Sequence, residues 1–286
     1  MERNLSKVLV VGRNGVVAKH LLRMRDDFLS TSTQDGADYR FELANPRDFD
    51  YSEFGVGDTV IFTAAISSPD RCSREYDFAY RINVVGTKYA ISRFLERGVK
   101  VLFFSSDVVY GESESVVDEE STTNPFGEYA AMKEEVERQF AGNPLFKILR
   151  LSYVISSLDS FVQYVVSCIK SGEEAEVFYP LSRKVIDVED VVEATIRIVE
   201  DWDAYKYPVL NLCGEVDVQR EEIAQLIDSS SQSAERLKYR CVDLPEGFWD
   251  SRPKIINVES RHLSSLLGRK PRSIEYTCKN IMLEYS

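Results

Sequence analysis

The sequence predicts an α/β protein, a doubly wound parallel sheet followed by a smaller C-terminal lobe. Three observations predict it. Short apolar runs alternate with longer amphipathic stretches through the first half, which is the pattern of βα units. The first apolar run ends in a glycine turn, Gly12-Arg13-Asn14-Gly15. The 286 residues, 44% hydrophobic and 29% charged, also suffice to bury a substantial core.

Residues 7–11 read as a buried strand, because a continuous apolar run stops at Gly12. A helix is expected over 16–24, a second strand at 28–33 and a third, short one at 39–43. Residues 58–63 (DTVIFT) make a cleaner strand, followed by a helix over 76–97 and a strand at 100–105 (KVLFFS). A helix over 128–140 and a strand at 147–153 follow. Beyond residue 155 the alternation loosens into a helix at 161–171, a strand at 174–180, a helix at 188–201 and a strand at 208–213. The tail from 229 carries Pro245, Pro253 and Pro271 and reads as part of a lobe packed on the core. The expected division is a nucleotide-binding Rossmann-type domain over 1–155 and a substrate-binding lobe over 156–286, with residues near 185–215 returning to the core.

Composition narrows the function classes. A formal net charge of −12 disfavours nonspecific binding to nucleic acid. It does not exclude anionic small molecules, which local backbone dipoles capture. The five cysteines (72, 168, 213, 241 and 278) form no CxxC pair, so reduced thiols and a cytoplasmic location are expected. No window approaches the ~18 apolar residues of a membrane helix, so no membrane partner is expected. His20 and His262 are isolated, and no metal site is expected.

The segment from Val8 to Ala18 reads as strand, tight turn and helix. Gly12 permits the turn, and Gly15 lets the backbone approach a pyrophosphate, whose charge the helix N-terminus stabilises. The choice of dinucleotide stays open. If the second strand ends at Thr33, its small hydroxyl residues leave room for a 2′-phosphate that Arg13 neutralises. If Asp35 caps that strand, NAD is favoured. The reading leans slightly to NADP over NAD.

Tyr129 and Lys133 stand at i and i+4 on one helix face. An ammonium beside a phenol favours the phenolate, so Lys133 is expected to lower the Tyr129 pKa toward the acid–base range. Upstream, the strand ending Phe104-Ser105-Ser106 brings its C-terminus to the crevice, where Ser106 can hydrogen-bond a substrate carbonyl beside Tyr129.

In order and spacing, GxxGxxA, Thr63-Ala64-Ala65, Asn83-Val84-Val85-Gly86-Thr87, SSDVVYG and YAAMK resemble the extended short-chain dehydrogenases/reductases. The chain looks most like their dTDP-4-dehydrorhamnose reductase-like and epimerase/dehydratase branch. Weaker echoes run on through RKVIDVED (183–190), Asn211-Leu212-Cys213-Gly214 and Arg252-Pro253. The resemblance implies a catalytic triad of Ser106, Tyr129 and Lys133, with Asn83 supporting the helix behind it. It implies cofactor contacts from Gly12, Arg13, Asn14, Gly15, Val16, Val17, Thr63, Ala64, Ala65 and Ser105, with Tyr129 and Lys133. Lys133 would bond the nicotinamide ribose.

Departures from the branch patterns narrow the reaction. The 4,6-dehydratases carry Asp-Glu after the catalytic Ser/Thr, whereas Asp107 is followed by Val108. The fucose-forming epimerase-reductases use an added Cys/His pair, which has no counterpart here. What remains is hydride transfer at a sugar carbon: reduction of the 4-keto group of a nucleotide-activated deoxysugar, or its reverse. C4 epimerisation on the same scaffold is the alternative, and a non-catalytic dinucleotide-binding regulator is the alternative of another class. Arg183, Lys184 and Arg252 are the candidate cations for the sugar-nucleotide diphosphate. Relatives often pair through two helices, here 76–97 and 128–140, so a homodimer is implied.

Overall fold

The structure is a computed structural model describing residues 6–285. Its order of elements begins β1 (Val8–Val11), α1 (Val16–Met24), β2 (Leu29–Ser32), β3 (Tyr39–Arg40) and β4 (Thr59–Phe62). There follow α2 (Pro69–Arg74), α3 (Tyr76–Tyr80), a π-helical turn at Arg81–Gly86, α4 (Thr87–Glu96) and β5 (Lys100–Ser106). Then come β6 (Ser113–Val117), α5 (Glu128–Phe140), β7 (Phe146–Leu151), β8 (Tyr153–Ile155), α6 (Ser160–Ser171) and β9 (Glu174–Phe178). The chain continues with β10 (Ser182–Asp187), α7 (Val188–Glu200), β11 (Val209–Leu212), β12 (Asp217–Gln219) and α8 (Arg220–Ser230). It ends with β13 (Lys238–Val242), β14 (Ile256–Val258), α9 (Leu263–Leu267) and α10 (Ile274–Leu283).

Seven strands form one parallel sheet in the order β11-β7-β5-β4-β1-β2-β3. Successive side chains of a strand face opposite ways, so the sheet feeds two cores. Val10 joins a cluster with Ala18, Leu21, Val191 and Ile198 beneath α1 and α7. Leu9 and Val11 join the other, with Ile91, Phe94 and Val136 beneath α4 and α5. The connections run outward in one direction from β1 through β2 and in the other through β4. Their divergence between β1 and β4 opens a crevice at the strand C-termini, where ligands bind in such sheets.

Several elements differ from expectation, each for a local reason. β3 is two residues long: Phe41 donates to Ser32 O and then turns into the aromatic core. The expected helix over 76–97 runs on from Tyr76 to Glu96 but widens into a π-helical turn over Arg81–Gly86. There the loop carbonyl of Leu43 comes so near Gly86 that a Cβ would lie 1.9 Å from it. The strand expected at 147–153 divides at Ser152, whose amide still reaches Leu212 O. From Tyr153 the chain leaves the main sheet and pairs with β10.

A three-stranded sheet of β12, β10 and β8, the β13–β9 pair, and helices α6, α8 and α10 enclose a third core around Val162, Val166, Ile223 and Cys278. Helix α7 and strand β11 lie in the main layers. The tail is shared between both halves. β13 pairs with β9 and α10 packs on α8, whereas β14 pairs with β6 and α9 buries Leu263 and Leu267 in the core beneath α7.

Candidate active site

The turn after β1 is held by the strand beside it. Gly12 N donates to Thr31 Oγ1 (3.3 Å) and Arg13 N to Thr31 O (3.1 Å). Gly12 has φ +99°, and a Cβ there would lie 2.8 Å from Ala64 Cβ, so only glycine fits. Gly15 is different: its φ is −66°, and a Cβ would meet only Gly12 O, at 3.6 Å. Its side is open toward the crevice. Helix α1 starts there with no side-chain cap and no acid in its first turn, which leaves amide donors and a positive dipole end for an anion.

A groove of about 600 Å³ runs along this turn, lined by Arg13, Asn14, Thr31, Ser32, Thr33 and Arg71 among others, with Glu42 its one acid among the described residues. β2 ends at Ser32, and Asp35 does not line the groove. Gly15, Thr63 and Ala65 also line a second cavity of about 610 Å³, so the two spaces adjoin. Val16, Val17, Ser105, Ser106, Tyr129 and Lys133 all face this second cavity. Ala64 lines the groove and packs behind Gly12.

Ser106 closes β5 and caps the short turn that follows. Its Oγ lies 3.2 Å from Asp107 Oδ1 and 3.4 Å from Leu151 O, and accepts from Val108 N. Lys133 is buried, and its ammonium donates to Phe104 O at 2.7 Å. Burial holds its pKa down to about 8, against the favourable field of Glu137. Asn83 fixes the wall behind: it accepts from Ile66 N (2.8 Å) and donates to Ile66 O (2.9 Å).

The expected lowering of the Tyr129 pKa is not found. Burial raises it above the usual phenol value, reinforced by Cys72 and Asp107, and the Lys133 ammonium is hydrogen-bonded to Phe104 O instead. Tyr129 is therefore a neutral phenol, a proton donor rather than a poised phenolate. Asp107 is buried at the same cavity, and desolvation pushes its carboxyl up to about 6 against the charge of Arg183. Its place directly after the strand-end serine was the signal that could have marked it as a site residue.

The candidate substrate cations separate. Arg183 and Arg252 line the cavity, whereas Lys184, the next residue on β10, faces the other side and donates to Glu215 O at 2.9 Å. Arg183 donates to Pro253 O (2.6 Å) and Lys254 O (2.7 Å). Arg252 pairs with Asp70 of α2 at 2.5 Å, so the segment around it spans the cavity as a strap tied to both halves. A third arginine, Arg220, lines the cavity and was not singled out from sequence. It opens α8, a helix with no strong flanking signal beyond the valine and glutamine before it.

A dinucleotide-type groove running into a cavity with Ser106, Tyr129 and Lys133 is the arrangement of the extended short-chain dehydrogenases/reductases, the class that fold and site define. Within that class, residues 6–285 match the RmlD substrate binding domain, and the chain belongs to that family. The spore coat polysaccharide biosynthesis protein SpsK of Bacillus subtilis (strain 168) is 25% identical over 205 residues, covering 68% of this chain and 70% of that protein. A hypothetical dTDP-4-dehydrorhamnose reductase from Sulfolobus tokodaii superposes with a TM-score of 0.78 at 21% identity, over 94% of this chain and 98% of that one. The UDP-glucose 4-epimerase of Thermotoga maritima, solved with UDP-glucose, gives a TM-score of 0.77 at 19% identity and 98% coverage of both chains.

Proposed function

We propose that this protein is an NAD(P)-dependent reductase acting on the 4-keto group of a nucleotide-activated deoxysugar. The observation that carries the reading is that Tyr129 and Ser106 face one cavity that adjoins the glycine-turn groove. The residues present fit a dinucleotide: the uncapped start of α1 would hold its pyrophosphate, and Lys133, which lines the adjoining cavity, would bond its ribose. When bound, the nicotinamide supplies the hydride. Tyr129 donates its proton to the oxygen as it becomes an alkoxide, and Ser106 donates a hydrogen bond to the same oxygen. The Lys133 charge then favours the tyrosinate left behind.

NADP is the favoured form, supported by Thr31, Ser32, Thr33 and Arg13 along the groove, which would receive a 2′-phosphate, and by Asp35 not lining it. C4 epimerisation is the second reading, favoured by the likeness to UDP-glucose 4-epimerase. A panel of nucleotide 4-keto sugars assayed with NADPH and NADH tests the proposal. Stoichiometric consumption of reduced cofactor supports the reductase, and turnover without it by a protein carrying bound NAD supports the epimerase. A homodimer through α3, α4 and α5 fits the exposed Tyr76 and Val85, and light scattering checks it. The free cysteines fit a reducing, cytoplasmic compartment.

A further inference from the structure

The strap over the catalytic cavity is fastened differently on its two sides. It runs between β13 and β14, and two of its residues, Phe248 and Arg252, line the cavity. On the lobe side its backbone is held. Arg183 donates to Pro253 O and Lys254 O, and Lys254 N donates to Glu112 at 3.2 Å. On the side of the seven-stranded sheet the bonds come from side chains. Arg252 Nη2 donates to Asp70 Oδ1 at 2.5 Å, and Ser251 Oγ donates to the same oxygen at 3.3 Å. Ser251 O rests on Gly127, where no Cβ would fit, two residues before Tyr129.

Asp70 belongs to the facing wall: Ser67 and Pro69, close to it in the chain, line the same cavity. The ion pair therefore joins the two walls at the mouth. Two features make that joint releasable. The Asp70 side chain is 62% exposed, and a pair with one partner in solvent is weak and screened by salt. The Arg252 guanidinium is also tied into its own segment, donating to Phe248 O at 2.9 Å and lying 4.1 Å from the centroid of the Phe248 ring. Gly247, with φ +73°, turns the chain just before it. Breaking one pair thus lets Arg252 and Phe248 lift together. At neutral pH both partners are charged, since Arg252 holds the Asp70 carboxyl below the usual carboxylate range.

We propose that Asp70 and Arg252 form a latch that gates the catalytic cavity, opening for ligand exchange and closing to keep water from Tyr129. This rests on that cavity being the ligand site.

A thiol placed inside reads the gate without any ligand. Val154 lines the cavity, and of the native cysteines Cys241 is exposed while the other four are buried. Labelling of Val154→Cys by the uncharged reagent dithiodipyridine is followed in a Cys241→Ser background, with and without Asp70→Asn or Asp70→Glu. Asp70→Asn should raise the labelling rate about two- to fivefold at low salt, and Asp70→Glu should restore most of the protection. About 1 M salt should bring the latched protein to the rate of Asp70→Asn and leave that variant unchanged. Equal rates in the latched protein and Asp70→Asn at low salt overturn the proposal. So does a matching rise at Cys72, buried in α2, because the helix rather than a gate would then have loosened. Asp70-dependent labelling in a protein that reduces no keto sugar upholds the latch while removing the reductase reading. Reduction with Asp70-independent labelling does the reverse.

Discussion

The Lys133 ammonium is hydrogen-bonded to the carbonyl oxygen of Phe104 at 2.7 Å, two residues before Ser106 on β5. Helix α5 is thus tied to the strand that carries the serine, and Tyr129, one turn earlier, takes its place from the same anchor. The ammonium lies 5.9 Å from the centroid of the Tyr129 ring and, among the described residues, shares no hydrogen bond with its hydroxyl.

Tyr129→Phe removes the proton donor and almost no volume. Turnover should fall by about 10²–10⁴-fold, with cofactor affinity unchanged. Steady-state rates together with cofactor titration check this, and a variant of undiminished activity would sink the mechanism.

Two buried groups give opposite pH signatures. Asp107 has its carboxyl raised from 3.8 to about 6, so between these values the folded chain keeps a proton that the unfolded chain has released. Its contribution to stability therefore falls as pH rises through that window. Asp107→Asn should gain roughly 1–3 kcal/mol relative to the native protein between pH 4 and pH 6.5. Lys133, lowered from 10.5 to about 8, loses its charge first in the folded state, so its burial penalty is full below pH 8 and is relieved from there to 10.5. Turnover that depends on the ammonium should decline as pH passes 8. Chemical denaturation and rate profiles across these ranges read both effects.

The two glycines of the turn should fail differently. Gly12→Ala meets Ala64 and a positive φ, so it should lose at least about 1–2 kcal/mol of stability along with the cofactor. Gly15→Ala fits the unliganded fold, and its melting temperature should hold while cofactor affinity drops. Equal cofactor affinity in Gly15→Ala would mean that no pyrophosphate approaches the backbone there.

Glu137 lies one turn beyond Lys133 and is buried against Arg150 of β7, with contacts of 2.6, 3.1 and 3.2 Å. Removing one partner leaves the other charge buried alone, so Arg150→Met should cost about 3–5 kcal/mol. Glu137→Gln also withdraws a favourable field from Lys133, and the alkaline limb of the rate profile should move to lower pH. A stability loss without that movement would make the pair purely structural.

Much of this was legible in the sequence because it depends on local pattern. The strands at 7–11, 58–63 and 100–105 are apolar runs that any parallel sheet buries. The turn and the Tyr129–Lys133 spacing sit within single elements. What was not legible depends on who packs where. The π-turn at Arg81–Gly86 follows from a loop carbonyl approaching Gly86, and the break at Ser152 follows from β8 finding β10. Lys184 looked like Arg183 in sequence and differs only by strand parity. Spacing places a lysine near the Tyr129 phenol but carries no sign of the desolvation that raises its pKa.

The shared tail also has a consequence for how the chain can come apart. A proteolytic nick in the loop at 231–237, between α8 and β13, would cut the backbone without separating the products. The released piece would still be seated by β13 on β9, β14 on β6, α9 against α7 and α10 against α8. Cleaved protein should therefore migrate as two bands under denaturing conditions and elute as one particle under native ones, with Arg252 still spanning the cavity.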